Sequence, residues 1–201
     1  PVAFVDTEID PKSLKILDIG SIRGDGATFH KTSVAEFTSF LAGTKFVCGH
    51  NILRHDIRYI GKALAEAGIE TSNILDTLFL SPLLFPSKPY HALLKDDKLQ
   101  SDDTNNPLND SIKARDLFYD EIAHFNQTDE SLKQIYWLLL KDKPDFQAFF
   151  QFIEYTSGET DLEKLIRIKF ANEICEQADL AGIIEEQPVA LAYCLSLIDS
   201  F

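Results

Sequence analysis

Hydrophobic and polar positions in the first 84 residues predict strands and helices in alternation. The apolar run Val2 to Val5 predicts a buried strand that continues to about residue 9. Similar runs predict four further strands, over 12–23, 27–31, 45–49 and 74–77. Apolar residues at helical spacing predict helices over 33–41, 57–67 and 78–84. Five predicted strands interleaved with helices indicate an α/β fold with helices flanking the sheet.

After residue 106 the pattern becomes helical only. Asn106-Pro107 is typical of a helix start, with Asn as the N-cap and Pro in the first turn, and it predicts a helix to about residue 125. Further helices are predicted over 129–141, 145–155, 160–178 and 188–200. This change predicts two domains, 1–126 and 127–201, the second an all-helical C-terminal extension or a linker toward a further domain.

The composition is typical of a soluble globular protein, with 45% hydrophobic and 25% charged residues among 201. We found no signal peptide and no apolar run of membrane-spanning length, and three cysteines without metal-binding spacing indicate reduced thiols. These features predict a cytoplasmic protein with no membrane partner. The chain begins at Pro1 and has no Met, which predicts a fragment of a longer protein.

The formal net charge of −13 argues against broad, non-specific adhesion to nucleic acid. It is compatible with a nucleic-acid enzyme whose acidic residues bind metal and whose basic residues are local. Arg54, Arg58 and Lys62 are four residues apart and share one face of a predicted helix, where they either contact phosphates or form a solvated surface.

Two carboxylates at the end of the first predicted strand are the first candidates for chemistry. Side chains alternate along a strand, so Asp6 and Glu8 project to the same side. Their mutual repulsion in a buried position is relieved by a divalent cation such as Mg2+ or Mn2+, which prefers carboxylate oxygens. The alternative is a strand that simply ends in a polar turn.

Two more acids lie near helix starts. Asp56 follows His50-Asn51 by a few residues, and Asp110 is in the first turn after Asn106-Pro107. Each is either a metal ligand or an acid favoured at a helix N-terminus. Asn51 is either a helix N-cap or a polar support of the site, and His50 is expected to be a hydrogen-bonded packing residue.

Together these residues resemble the three exonuclease motifs of the DnaQ-like, or DEDD, 3′→5′ exonuclease superfamily. Asp6-Thr7-Glu8, His50-Asn51 with Asp56, and Asp110 occur in the family's order and spacing. The resemblance covers about residues 2–125 and implies a ribonuclease-H-like fold. It also implies a metal-dependent exonuclease that hydrolyses phosphodiester bonds of DNA from the 3′ end.

The resemblance further implies a role for each motif residue. The four acids would bind two divalent metal ions, Mg2+ or Mn2+, which activate the attacking water and stabilise the departing 3′ oxygen. The substrate would be contacted by residues in or beside the motifs, which are Thr7, Ile9, Asn51, Arg54 and Asn105.

One position departs from the family pattern. A general-base His is expected five residues before the last Asp, or a Tyr four residues before it, but Asn105 and Asn106 occupy these positions. Asn cannot accept a proton at neutral pH. His91 is therefore a candidate base, and His55 is a second candidate that we expect instead to pack against the sheet.

A narrower resemblance is to exonuclease domains fused to RecQ-like or other superfamily 2 DNA helicases. It implies a DNA-repair module that binds single-stranded DNA 3′ ends and continues into a helicase domain. The missing base leaves an alternative, a nuclease-like module with weak or no catalysis that binds nucleic-acid 3′ ends or a partner protein. RNA as the substrate also remains open.

Overall fold

The computed structural model describes residues 1–93 and 106–201. The strands in these ranges are β1 (Val2–Ile9), β2 (Ile16–Arg23), β3 (Thr28–Lys31), β4 (Phe46–Gly49) and β5 (Ile74–Asp76). The helices are α1 (Val34–Phe40), α2 (Ile57–Glu66), α3 (Thr77–Leu84), α4 (Pro107–Gln127), α5 (Glu130–Leu140), α6 (Gln147–Phe152), α7 (Leu162–Lys169), α8 (Leu180–Glu186) and α9 (Pro188–Asp199), with a short 3₁₀ turn at Thr71–Asn73. The predicted α/β class with a helical C-terminal part is confirmed.

Within the described ranges the five strands form one mixed sheet in the order β3-β2-β1-β4-β5. β1 pairs with β2 and β2 with β3 in antiparallel register, while β4 is parallel to both β1 and β5. A turn at Asp25-Gly26 joins β2 and β3, and Gly26 has the positive φ of +89° that such turns require. β1 therefore lies at the centre of the sheet.

The second strand begins later than predicted. Its pattern indicated residues 12–23, but β2 begins at Ile16 because a turn comes first. The carboxylate of Asp10 accepts hydrogen bonds from the Lys12 backbone and the Ser13 hydroxyl, and Leu14 has a left-handed φ of 55°. Local side-chain hydrogen bonds of this kind compete with strand pairing.

The chain packs into two compact units. The first, called here the sheet unit, contains residues 1–78 and 91–120, of which 94–105 lie outside the described ranges. The second, the helical unit, contains residues 79–90 and 121–201. The domain limits expected from the sequence, 1–126 and 127–201, stay a prediction.

Both faces of the sheet carry apolar side chains, as a sheet covered on two sides requires. On one face, Val5 packs in a cluster with side chains of α1 and α2, including Phe37 and Ile60. On the other face, the ring of Phe4 lies 5.9 Å from Phe118 and 5.8 Å from Tyr119 of α4. Alternation along β1 thus directs Phe4, Asp6 and Glu8 to the α4 side.

The helical unit has an aromatic core. The ring of Phe125 lies edge-on to Phe149 at 5.3 Å and to Tyr155 at 5.2 Å. None of the helices in the described ranges combines the length and apolar character that a bilayer span requires.

The long helix predicted over 160–178 is wrong. α7 ends at Lys169, Asn172 has a left-handed φ of 73°, and α8 begins only at Leu180. The carboxylate of Asp179 caps α8 by accepting from the backbone of Gly182. Asn tolerates the left-handed conformation, so the chain leaves the helix well before residue 178. α8 lies beyond the predicted range, and Asp is a strong N-cap for it.

Candidate functional site

Asp6 and Glu8 lie on β1 on the side that faces α4. Asp6 pairs with Gly20 of β2 and Glu8 with Asp18, and the ladder shifts register between Glu8 and Ile9. Both acidic side chains are half-buried. The end of the central strand therefore presents two carboxylates on one face, next to an irregularity in the pairing.

Asp56 is tied directly to β1. Its Oδ1 atom accepts hydrogen bonds from the Thr7 backbone N–H at 3.1 Å and from the Thr7 hydroxyl at 2.5 Å. The parallel pairing of β1 with β4 runs from Val2 to Phe4 and does not reach Thr7. At Thr7 the Asp56 carboxylate therefore accepts from the backbone N–H in place of a neighbouring strand. The interaction brings the second predicted motif to the strand that carries the first.

The environment of Asp56 is unlike that of a simple helix-start acid. It directly precedes α2, but its side chain makes no cap hydrogen bond to that helix, and only 2% of the residue is exposed. Burial raises the pKa of Asp56, while the hydrogen bonds from Thr7 and the nearby His55 act to lower it. Its carboxylate therefore bears a cost of burial that a nearby cation would reduce.

Asp76, the last residue of β5, is not among the candidates that the sequence pattern singled out. This buried carboxylate accepts hydrogen bonds from the backbone N–H groups of Asn51, Leu53 and Leu78, at 2.8, 3.0 and 3.0 Å. It thereby fixes the loop that leads from β4 to Asp56. An acid after the apolar pair Ile74-Leu75 is the same signal that singled out Asp6, and it was available in the sequence.

The pKa of Asp76 is also raised. Burial is the main cause and the charge of Asp56 adds to it, against the effect of the three backbone hydrogen bonds. Asp56 and Asp76 are thus two buried acids within electrostatic range of each other. Asp76 ends β5, and Asp56 follows the loop after the neighbouring strand β4. Buried carboxylates in such proximity are more frequent at functional sites than elsewhere.

Asp110 is held close to the sheet by the start of α4. The side chain of Asn106 caps this helix by accepting from the backbone N–H groups of Leu108 and Asn109, as its sequence pattern predicts. The backbone there lies against Gly20, where an added Cβ would be 2.0 Å from the Leu108 nitrogen. Because Gly20 pairs with Asp6, only a residue without a side chain lets the helix approach the strand pair so closely.

His91 and Asp110 each lie within electrostatic range of His50. The pKa of His50 is lowered to about 4, mainly by burial and also by the charge of His91, while the charge of Asp110 acts in the opposite direction. The Nδ1 atom of His50 lies 2.8 Å from the Thr77 hydroxyl. His50 is therefore neutral at pH 7, with a hydrogen bond and partial burial as expected, and it lies beside the candidate base His91.

The remaining predicted residues have separate environments. Ile9 is half-buried at the end of β1, and Arg54 is exposed. Asn51 has a left-handed φ of 66°, and its N–H donates to Asp76, so it belongs to the loop before α2 rather than to a helix cap. Asn105 lies outside the described residues.

The prediction that His55 packs against the sheet is wrong. Its side chain is 51% exposed, with Nδ1 lying 3.7 Å from Oδ1 of Asp56 and its ring 5.8 Å from that of Tyr59. His55 lies in the turn before α2. In the same turn, the side chain of Ile52 is fully buried.

The four predicted ligands fit hard divalent cations in their chemistry, since all are carboxylates. Asp6, Glu8 and Asp56 are connected through β1, and the helix that carries Asp110 packs on the strand paired with it. Across 1–93 and 106–201, however, no three His, Cys, Asp or Glu side chains are arranged as a ready ligand set. The backbone positions of the four acids are thus compatible with a metal site, whereas their side chains would have to change orientation to bind an ion.

No model of a known protein family matches the chain, and no curated protein matches it in sequence.

Proposed function

We propose that the sheet unit is a metal-dependent 3′→5′ exonuclease that hydrolyses phosphodiester bonds of DNA and has a ribonuclease-H-like fold. The observation that carries this proposal is the hydrogen bonding of the buried Asp56 to Thr7, the residue between Asp6 and Glu8. It connects acids that are about 50 residues apart in the sequence at the end of the central strand.

The proposed ligands of two divalent metal ions, Mg2+ or Mn2+, are Asp6, Glu8, Asp56 and Asp110. When bound, such ions supply positive charge for the scissile phosphate and lower the pKa of water. Thr7 would position Asp56 through its two hydrogen bonds, and Asp76 would hold the loop that precedes it. To bind the ions, the side chains of Asp6, Glu8 and Asp110 would have to change rotamer, as side chains at binding sites commonly do.

His91 is the proposed proton acceptor. The alternative position in the family pattern is Asn106, whose side-chain oxygen is engaged in capping α4. His91 lies within electrostatic range of His50, which also senses Asp110. An imidazole is the side chain that most often serves as a general base near neutral pH.

Single-stranded DNA with a free 3′ end is the proposed substrate, with Thr7, Ile9, Asn51, Arg54 and Asn105 near it. The exposed side chains of Arg54, Arg58 and Lys62 on the α2 side support phosphate contacts. They give local positive charge to a chain with a net charge of −13. A role in DNA repair, cytoplasmic localisation and continuation into a helicase domain complete the proposal.

The test is an exonuclease assay on single-stranded DNA labelled at the 3′ or the 5′ end, in Mg2+, Mn2+ or chelator. We expect stepwise shortening from the 3′ end that requires metal. Asp6→Ala and Asp110→Asn should each reduce the rate by at least about 100-fold. Asp120→Asn, an exposed acid on the same helix as Asp110, serves as the control and should retain the wild-type rate.

His91→Ala should reduce the rate and remove the acidic limb of its pH profile, whereas His55→Ala should not. Absence of cleavage in both metals, with a correctly folded protein, would contradict the proposal. A 5′→3′ direction, or full activity of Asp6→Ala, would contradict it equally.

A second candidate function is a nuclease-like module that binds 3′ ends or a partner protein with little or no catalysis. The capping role of Asn106 favours it, because a side chain used for helix capping contributes no base. Tight binding of the labelled strand without shortening would identify this function. In that case Asp6→Ala should leave the affinity nearly unchanged or increase it, since it removes negative charge near the phosphate.

A further inference from the structure

The helical unit contains a cavity of about 690 Å3 that the exonuclease proposal does not use. Its walls come from the segment 83–89, the end of α4, the start of α5 and the end of α9. The volume lies in the range of small-molecule binding sites. All lining residues belong to the helical unit, so the inference stands independently of the proposed nuclease activity.

One side of the cavity is acidic. The Lys169 ammonium lies 2.8 Å from Oδ2 of Asp129 and 2.7 Å from Oδ1 of Asp199. Both carboxylates line the cavity and share this single ammonium, so the group carries one net negative charge. Tyr136 also lines the cavity. Burial raises the pKa of Tyr136 to about 12, and the charges of Asp199 and Asp129 contribute.

The other charged part of the lining is basic. The Nζ atom of Lys88 lies 3.9 Å from the centre of the Phe85 ring, a cation–π contact that limits where the ammonium can go. The Phe85 ring lies 5.0 Å from that of His124. Burial and the charge of Lys88 lower the pKa of His124, so Lys88 alone of these three residues is charged at pH 7.

Apolar side chains complete the lining. Phe85 and Pro86 are half-buried and Pro89 is exposed, and all three face the same cavity as the charged groups. A ligand for such a lining needs an apolar body to displace water from these side chains. It also needs a cationic group for Asp129 and Asp199, and an anionic group for Lys88.

We propose that this cavity binds a small dipolar ligand of the ω-amino carboxylate class. Its ammonium would compensate the net negative charge of the group formed by Asp129, Asp199 and Lys169. Its carboxylate would accept from Lys88, and its methylene chain would contact Phe85 and Pro86. A ligand with only one of the two charges would lack one of these attractions, and its affinity would be lower.

The test measures binding of γ-aminobutyrate, ε-aminocaproate and ω-aminocaprylate to the intact chain by NMR chemical-shift titration. Hexylamine and hexanoate, which keep one charge each, are the comparison ligands. We expect the tightest dipolar ligand to bind about tenfold more strongly than either of them, with shifts at Tyr136 and Phe85. Equal binding of hexylamine or hexanoate, or no binding by any dipolar ligand, would overturn the proposal.

Two variants with matched controls locate the site. Asp199→Asn should weaken the tightest dipolar ligand about fivefold and Lys88→Gln by a similar factor, since each removes one charge from the lining. Asp142→Asn and Lys164→Gln change exposed residues outside the cavity lining and should leave the affinity unchanged. An unfolded Asp199→Asn would leave the exposed Lys88→Gln to decide, and a Lys88→Gln protein that binds normally would refute the assignment.

Discussion

Two acids of the sheet unit and one acid of the helical unit have opposite environments. In the sheet unit, Asp56 and Asp76 are buried, accept hydrogen bonds from uncharged groups, and have pKa values raised by burial. In the helical unit, Asp129 is exposed and paired with Lys169. Burial alone would raise the pKa of Asp129, but the hydrogen bonds from Lys169 and the Leu132 backbone lower it overall.

This difference separates an acid whose charge is compensated by a salt bridge from acids whose charge is buried. An ion pair such as Asp129–Lys169 contributes a little stability. Ionising a buried carboxylate costs free energy even where it accepts hydrogen bonds, and such groups are more frequent at functional sites than elsewhere. The contrast supports the proposal that places a metal-binding site in the sheet unit.

Asp76→Ala should have the largest effect on stability. The substitution leaves the N–H groups of Asn51, Leu53 and Leu78 without their buried acceptor. We expect the free energy of unfolding to fall by about 3 kcal/mol in urea denaturation. Asp120→Ala, at an exposed position, should change it by less than about 0.5 kcal/mol. A loss below about 1 kcal/mol for Asp76→Ala would contradict the role of Asp76 in fixing the loop between β4 and α2.

Gly20→Ala should be the next largest. Its Cβ would lie 2.0 Å from the backbone nitrogen of Leu108, so the start of α4 and Asp110 with it must move. We expect a loss of about 2 kcal/mol and a large loss of any nuclease activity. Gly24→Ala is the matched control, because its Cβ would meet Val2 at an ordinary 3.6 Å. If the two substitutions had equal effects, close packing of α4 on β2 would not position Asp110.

Thr7→Val should have a moderate effect that is specific to activity. It removes the hydroxyl that donates to Asp56 while keeping the shape and the backbone N–H donor. We expect the exonuclease rate to fall about tenfold, as for other residues that orient a ligand. Thr28→Val on the exposed edge strand should leave the rate unchanged. An unaltered rate in Thr7→Val would separate Asp56 from catalysis.

The smallest expected effects are the pKa shifts of two carboxyl groups. In metal-free protein, a carboxyl NMR titration should find Asp76 above the ordinary value of 3.8 and Asp129 below it. A raised pKa means that the folded state binds the proton more tightly, so the contribution of Asp76 to stability declines as the pH rises above 3.8. The contribution of Asp129 is present above 3.8 and is lost as the pH falls through its lower folded value.

Asp129→Asn tests the helical side of this contrast. It keeps a side chain able to cap α5 but removes the ion pair with Lys169, so unfolding at pH 7 should become easier by about 0.5 kcal/mol. The same substitution should have no effect at a pH where Asp129 is already protonated. If the pKa values of Asp129 and Asp76 both lay above 3.8, or both below it, the contrast between the two acids would be contradicted.

Most elements of the sheet unit could be predicted from the sequence because their signals are local. The Asp25-Gly26 turn, the Asn106 cap and the apolar run of β1 each depend on neighbouring residues alone. The helix over 160–178 was predicted wrongly because its apolar spacing continues past the end of α7 at Lys169 and through Asn172, which has a left-handed φ. Periodicity reports which face is apolar, whereas capping chemistry decides where the helix stops.

By itself, the sequence determined the α/β class, the alternation that directs Asp6 and Glu8 to one face, and the candidate acids at helix starts. These follow from the fixed periods of strand and helix, which any segment carries without its neighbours. Only the tertiary structure decided that Asp56 binds Thr7, that Asp76 holds the intervening loop, and that Lys88 and the Asp129–Asp199 pair line one cavity. Burial and contact between distant segments arise when the chain packs, so the free-energy cost of a buried carboxylate cannot be seen before the fold is known.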